Sequence, residues 1–289
     1  MIEKVGVVGS GLMGSEIALV FALAGKEVRL SDNNPEALQR SFDNLSRVLA
    51  KGVQRGFYKP DQTATTLARI KATALLAPLE DCDLVIEAVF ESEAVKAQVY
   101  KNLGEICQPD CIITSNTSSI SISTLASYLG PTRRANFVGT HFFSPVSRMK
   151  LVEVIPGLDK AESTVDVVMQ ACRQAGKTPI RVKDVVGFAV NRVLHAFMIE
   201  AVRLVEEGVA TPEDIDTACK LGLGHPIGPF ELMDSTQNSL SLQVQTILAD
   251  AYGERFRPRP LLKQMVKAGY NGKKAGRGWY KYGAKDSGK

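Results

Sequence analysis

Apolar positions in the N-terminal part of the chain fall into two alternating patterns. Short β-branched runs at 5–8, 28–30, 70–72, 84–86, 111–114, 137–141, 151–155 and 180–182 read as strands, with helical patterns between them. The stretch 12–24 predicts a helix that Gly25 stops, and Pro35 opens a second one reaching about residue 53. This alternation predicts an α/β fold: a doubly wound, mostly parallel sheet with helices covering its faces. After Asp184 the texture changes. Phe188, Val190, Val193, Leu194, Phe197, Ala201, Leu204 and Val205 recur at three- and four-residue spacing, as in one long helix. Thr211-Pro-Glu-Asp214 carries a hydroxyl cap, a first-turn proline and acidic residues, which together start a helix. Further helical patterns run over 230–252 and 259–268, with no strand pattern among them. The expected domains are 1–184 and an all-helical 185–289, with residues 284–289 as a loose tail.

Composition narrows the picture. A chain of 289 residues buries a substantial core without metals or disulfides, and 45% hydrophobic with 23% charged residues excludes disorder. A net charge of +4, with both signs interspersed, argues against a nucleic-acid partner. The longest apolar run, 17–24, is far short of the roughly 20 residues that cross a bilayer, so no membrane association is expected. The chain enters a strand-like segment at once, which predicts no signal or transit peptide. Cys82, Cys107, Cys111, Cys172 and Cys219 include no Cys-x-x-Cys pair. No disulfide framework or metal site is expected, and a cytoplasmic location fits reduced thiols.

Gly9-Ser-Gly-Leu-Met-Gly14 follows the first strand and opens the first helix. Gly9 permits a tight turn, Gly11 a close approach of a pyrophosphate, and Gly14 close packing of helix on strand. The loop, Leu12 and Met13 included, is the expected cofactor cradle. The helix N-terminus behind it presents free amides to phosphates. Asp32 ends the second strand 21 residues after Gly11, where a carboxylate binds a ribose 2′-hydroxyl. That carboxylate repels the 2′-phosphate of NADP, and Asn33 and Asn34 supply no arginine to hold one. The expected cofactor is NAD.

Only three histidines exist, so each can be weighed. His195 falls inside the long helix and reads as a partly buried helix-face residue. His225 lies in the turn-rich Gly224-His-Pro-Ile-Gly-Pro229 and reads as structural. His141 ends a strand of the α/β half, where such folds place ligands. Glu153, twelve residues on, is the one charge in Leu151-Val-Glu-Val-Ile155. A buried carboxylate needs a partner, and imidazole is a natural one. On spacing alone, the two read equally as a general base with its carboxylate or as an unrelated ion pair.

Several ordered motifs together carry a resemblance. They are the glycine loop, Leu84-Val-Ile-Glu-Ala-Val89, Ser115-Asn-Thr-Ser-Ser119, His141-Phe-Phe-Ser-Pro145, Met149-Lys-Leu-Val-Glu-Val154, Gly187-Phe-Ala-Val-Asn-Arg192, Glu213-Asp-Ile-Asp216, His225-Pro-Ile-Gly-Pro229 and Gly272-Lys-Lys-Ala-Gly276. The chain resembles the L-3-hydroxyacyl-CoA dehydrogenases of the bacterial 3-hydroxybutyryl-CoA type over nearly its whole length. The resemblance implies an N-terminal Rossmann-type domain and a helical C-terminal domain that forms a homodimer. It implies NAD-dependent oxidation of an acyl-CoA substrate. His141 falls on the family's catalytic base and Glu153 on its orienting carboxylate. Ser118 and Asn191 fall on catalytic residues of the substrate site, Ser118 also on a cofactor contact together with Glu91, Lys96 and Lys274, and Lys51 on a lysine that meets CoA.

Three departures stand out. Ser144 replaces an asparagine usual in the family and gives a shorter hydrogen-bonding arm where the nicotinamide is expected. The Pro-Val-Pro that usually follows is Pro145-Val-Ser147 here, and Met233-Asp-Ser-Thr-Gln-Asn238 lacks the usual Ile-Gly-Leu-Asp. The rival readings are a dehydrogenase of a free hydroxy acid, of gulonate or carnitine type, and a non-catalytic NAD-binding protein.

Overall fold

The structure, a computed structural model, describes residues 2–283, so the expected loose tail at 284–289 lies outside the described residues. The chain divides into two units between Phe188 and Ala189. The first unit runs β1 (Lys4–Val8), α1 (Leu12–Leu23), β2 (Glu27–Ser31), α2 (Pro35–Gln54), α3 (Pro60–Ala68), β3 (Ile70–Thr73), β4 (Leu84–Glu87), α4 (Glu93–Ile106), β5 (Ile112–Ser115), α5 (Ile122–Ser127), β6 (Phe137–Phe142), β7 (Leu151–Pro156), α6 (Glu162–Gln174) and β8 (Thr178–Arg181).

Its strands form one sheet in the order β3-β2-β1-β4-β5-β6-β7-β8. All neighbours are parallel except β6 and β7, which run antiparallel. The expected doubly wound, mostly parallel sheet is therefore what forms. The order reverses between β1 and β4, so a crevice opens outside their carboxyl ends. β4 and β5 are buried along their whole lengths because helices cover both faces. Ile17, Val20, Leu45 and Val165 belong to one apolar layer, and Tyr100, Leu103, Leu125 and Phe137 to the other. The apolar run 17–24 belongs to α1, whose residues Gly14 to Ala22 are buried in the first layer. Gly25, at φ 88°, turns the chain out of that helix. The Asn34 side chain caps α2 by accepting from the amides of Glu36 and Ala37 at 3.0 and 3.2 Å.

The second unit is built from α7 (Val190–Glu206), α8 (Pro212–Gly222), α9 (Pro229–Thr236), α10 (Asn238–Tyr252) and α11 (Pro260–Lys267). Thr211 caps α8 through the Asp214 amide at 3.2 Å, as its sequence predicts. The pattern at 230–252, expected as one helix, is two. Gln237 sits at φ 82° and breaks it, and the buried Asn238 amide donates to Asp234 Oδ1 and to the Tyr270 carbonyl, which bends the chain away. Asp234 also accepts from the backbone amides of Trp279 and Tyr280, both at 3.0 Å, and so holds the segment after Lys274 onto α9. All five cysteines are free and buried.

Candidate active site

The crevice at the end of β1 is built by backbone proximity. Gly9 has φ 100°, and a Cβ there would lie 2.6 Å from the Ala88 carbonyl oxygen. A Cβ on Gly14 would lie 1.9 Å from the Gly9 carbonyl oxygen, whereas one on Gly11 would meet nothing within 4 Å. Close packing thus dictates two of the glycines, and open space surrounds the third. Gly11 is the N-cap of α1, with no side-chain cap and no acidic residue in the first turn, so the helix presents bare amides there. Asp32, just past β2, accepts from the Ser10 amide and hydroxyl, both at 2.8 Å, and from the Asn34 amide at 2.9 Å. A carboxylate offers about four acceptor sites, which leaves room for one more donor. These features fit a dinucleotide: a pyrophosphate over Gly11 and the α1 N-terminus, and a ribose hydroxyl on Asp32.

The antiparallel β6–β7 pairing sets His141 directly opposite Glu153. The Nδ1 atom of His141 lies 2.8 Å from Oε2 of Glu153, which is wholly buried. This contact assigns the imidazole proton to Nδ1 and leaves Nε2 as the acceptor. Phe143 and Phe188 flank the ring, with centroids at 4.6 and 5.7 Å. The next amide, of Phe142, donates to the Asn116 side chain at 2.9 Å, and the Thr140 hydroxyl donates to Thr114 at 2.8 Å. Both bonds tie the histidine strand to β5 and the loop that follows it.

That loop carries Ser118. Its amide and hydroxyl both donate to Glu91 Oε1, at 2.8 and 3.2 Å, and the Thr117 hydroxyl donates to the same oxygen at 2.6 Å. Lys96, 1% exposed, lies 3.3 Å from the other Glu91 oxygen and 2.7 Å from Oε1 of Glu87. Burial alone would push the Glu91 carboxyl up. The Lys96 ammonium and the bonds from Thr117, Ser118 and Ser119 outweigh it and hold the carboxyl below the usual carboxylate range. Sequence reasoning missed Glu87, although one charge ending an apolar strand is the same signal that marked Glu153. It also missed two charges that hold the loop after β6. Buried Glu16 accepts from the Ser147 amide at 2.8 Å, and buried Lys177 donates to the Met149 carbonyl at 3.0 Å and to that of Val146. Ser144, exposed, lies on this loop.

The other expected residues are placed by their own elements. Leu12 and Met13 form the start of α1. Lys51 is exposed in the last turn of α2. Asn191 lies in the first turn of α7, and Lys274 lies exposed in a short turn, both in the second unit.

His195 is buried in α7, and its Nδ1 has no hydrogen-bond partner among the described residues. Burial pushes its imidazole down to about 4 from the usual 6.5. The folded state therefore holds the ring neutral while the unfolded chain takes up a proton below about 6.5. This stability is complete above that pH and is lost as pH falls towards about 4, on the order of 3 kcal/mol in all. In melting curves across that window, His195→Leu is expected to lose less stability than the unmodified protein. Parallel curves would contradict the assignment.

Comparison with known proteins places the chain in a family. Residues 4–185 match the profile described as "3-hydroxyacyl-CoA dehydrogenase, NAD binding domain", and residues 187–282 match its C-terminal domain. The chain is 42% identical over 280 residues to a probable 3-hydroxybutyryl-CoA dehydrogenase of Deinococcus radiodurans, covering 96% of this chain and 100% of that one. It is 42% identical to a Bacillus subtilis protein of the same description, covering 99% of each. The crystal structure of (S)-3-hydroxybutyryl-CoA dehydrogenase from Ralstonia eutropha superposes with a TM-score of 0.93 at 39% identity, covering 98% of this chain and 100% of that one. Matches that span both units and carry the same two domains lead to one assignment: the chain belongs to the 3-hydroxyacyl-CoA dehydrogenase family of oxidoreductases.

Proposed function

We propose that this protein oxidises an L-3-hydroxyacyl-CoA reversibly to the 3-oxoacyl-CoA, with NAD as cofactor. The observation that carries this reading is the 2.8 Å contact of His141 with the wholly buried Glu153, at the carboxyl end of a sheet strand. Bound over Gly9, Gly11, Gly14 and Asp32, NAD supplies the hydride acceptor. The chain's own residues handle the proton. His141 Nε2 takes it from the substrate 3-hydroxyl, while Nδ1–H stays bonded to Glu153. The carboxylate fixes the tautomer and stabilises the imidazolium that forms. In reverse, the Nε2 proton returns to the developing alkoxide.

Ser118 and Asn191 are assigned to orient substrate oxygens, Glu91, Lys96, Ser144 and Lys274 to the cofactor, and Lys51 to the CoA moiety. Preference for NAD over NADP follows from the Asp32 carboxylate. A homodimer is part of the proposal, formed through the second unit, where Val193, Leu221 and Leu223 are 71, 83 and 64% exposed. Apolar residues this open are most easily buried against a second copy in an isologous contact. Light scattering is expected to give a dimer at micromolar concentration, and a monomer would refute this part.

The substrate class is tested by comparing kcat/KM for 3-hydroxybutyryl-CoA with that for free 3-hydroxybutyrate, gulonate and carnitine. The ester is expected to be used at least about a hundredfold better, since remote binding energy of the CoA moiety is realised only with it. A free acid used equally well would transfer the assignment to a hydroxy-acid dehydrogenase.

A further inference from the structure

A cluster of buried charge in the first unit, on β4 and α4, holds a residue with no role so far. Glu87 ends β4 and is wholly buried. Its Oε1 accepts from the Val89 amide at 2.8 Å and from Lys96 Nζ at 2.7 Å. Its Oε2 accepts from the Ser115 hydroxyl at 2.7 Å and from that of Tyr100. The four donors come from the turn after β4, from α4 twice, and from β5. Lys96 is buried and stands between two carboxylates, Glu87 at 2.7 Å and Glu91 at 3.3 Å. Glu91 in turn collects the amides and hydroxyls of Ser118 and Ser119 and the Thr117 hydroxyl on one oxygen.

We propose that Glu87 is a positioning residue for the reaction. By fixing the Lys96 ammonium, it holds the Glu91 carboxylate against the 117–119 loop and so sets where the Ser118 hydroxyl stands. The role given to Ser118 rests on the function proposed above. A core carboxylate needing only neutralisation would be served by one partner. Here the ammonium is shared with a second carboxylate whose side chain is 36% exposed, so the buried charge is transmitted to accessible space. The charged and titratable groups facing Glu91 are Lys96 and Tyr100 on α4 and Glu87 on β4, with hydroxyl donors from the loop after β5. Tyr100 is pushed well above its ordinary value by burial and by Glu87, so it stays a neutral donor.

The experiment uses the full chain and three variants: Glu87→Gln, Lys96→Met and the double substitution. For each, kcat/KM with NAD and 3-hydroxybutyryl-CoA, NADH affinity by fluorescence, and the melting temperature are followed against pH. In Glu87→Gln, a carboxamide has one acceptor oxygen for donors on two sides, so the ammonium loses its seat. A fall of roughly 10–100-fold in kcat/KM is expected, the size of one lost charge-assisted bond. In Lys96→Met, Glu91 loses its ammonium and protonates more readily. The acid limb of both kcat/KM and NADH binding is expected to move to higher pH. Glu87→Gln, which retains the ammonium for Glu91 alone, is expected to leave that limb in place or lower it. Opposite responses of this kind do not arise from loosened packing. The double variant removes the buried pair together and is expected to melt above Lys96→Met while keeping the displaced limb. Unchanged kcat/KM in a folded Glu87→Gln would overturn the proposal, as would unmoved pH profiles in Lys96→Met and the double variant, or unfolding of all three. An unmodified protein inactive on the ester would count against the substrate assignment instead, because NADH binding in Lys96→Met and the double variant reports on the Lys96–Glu91 link without it.

Discussion

His141→Ala is expected to lower turnover by about 10²–10⁴, the usual worth of a positioned general base, while NADH still binds. The expectation rests on two separable pieces of geometry. The proton acceptor is Nε2, assigned by the 2.8 Å contact of Nδ1 with Glu153, and alanine removes it entirely. The dinucleotide crevice is built by the Gly9–Gly14 loop and Asp32, whose hydrogen bonds run to Ser10 and Asn34 and not to the histidine. Steady-state kinetics beside a fluorescence titration of NADH separate the two effects. Glu153→Gln is the graded companion, because an amide accepts the Nδ1–H bond but stabilises imidazolium less. Its expected loss is on the order of 10–100-fold, the value of one charge-assisted bond. Near-normal turnover in His141→Ala would remove the histidine from the chemistry.

The second large effect separates two glycines of one motif. Gly14→Ala would put a methyl group 1.9 Å from the Gly9 carbonyl oxygen, a backbone atom that no rotamer change relieves. The loop must open or α1 must move off β1, and a loss of about 3 kcal/mol or more in stability is expected, with NADH binding lost alongside it. Gly11→Ala meets nothing within 4 Å, and Gly11 has φ −62°, which any residue adopts. Its melting temperature is therefore expected to stay at that of the unmodified protein. NADH affinity is expected to fall roughly 10–100-fold, since the methyl group occupies the approach of the pyrophosphate to the α1 amides. Thermal melts and NADH titrations on both variants check the pair. Equal melting temperatures for the two, or unchanged affinity in Gly11→Ala, would contradict the way the motif is read.

Local chemistry explains what could be read in the sequence and what could not. The glycine loop was legible because turn, approach and packing are all specified within six residues. His141 and Glu153 were legible as candidates because each is a polar residue in an apolar strand run. Their direct opposition required the antiparallel register of β6 and β7, which spacing alone does not fix. Glu87 has the same local signature. Its partners at 89, 96, 100 and 115 are scattered over a turn, a helix and a second strand, so no local pattern brings them together. Glu16 was hidden in the same way: it lies in an apolar helix, and its partner Ser147 is 131 residues away. The break at Gln237 carries no sign in the hydrophobic period. It depends on a positive φ at a residue type that seldom adopts one, held by contacts of Asn238 and Asn271.

Product stoichiometry tests the central claim most directly. The purified protein is incubated with NAD and L-3-hydroxybutyryl-CoA, and the CoA ester is weighed by mass spectrometry while NADH is read by absorbance. The account predicts that the ester loses one hydride and one proton to become the 3-oxo ester, with one NADH formed for each molecule converted. An ester of unchanged mass, in a sample that is folded and binds NADH, would contradict it.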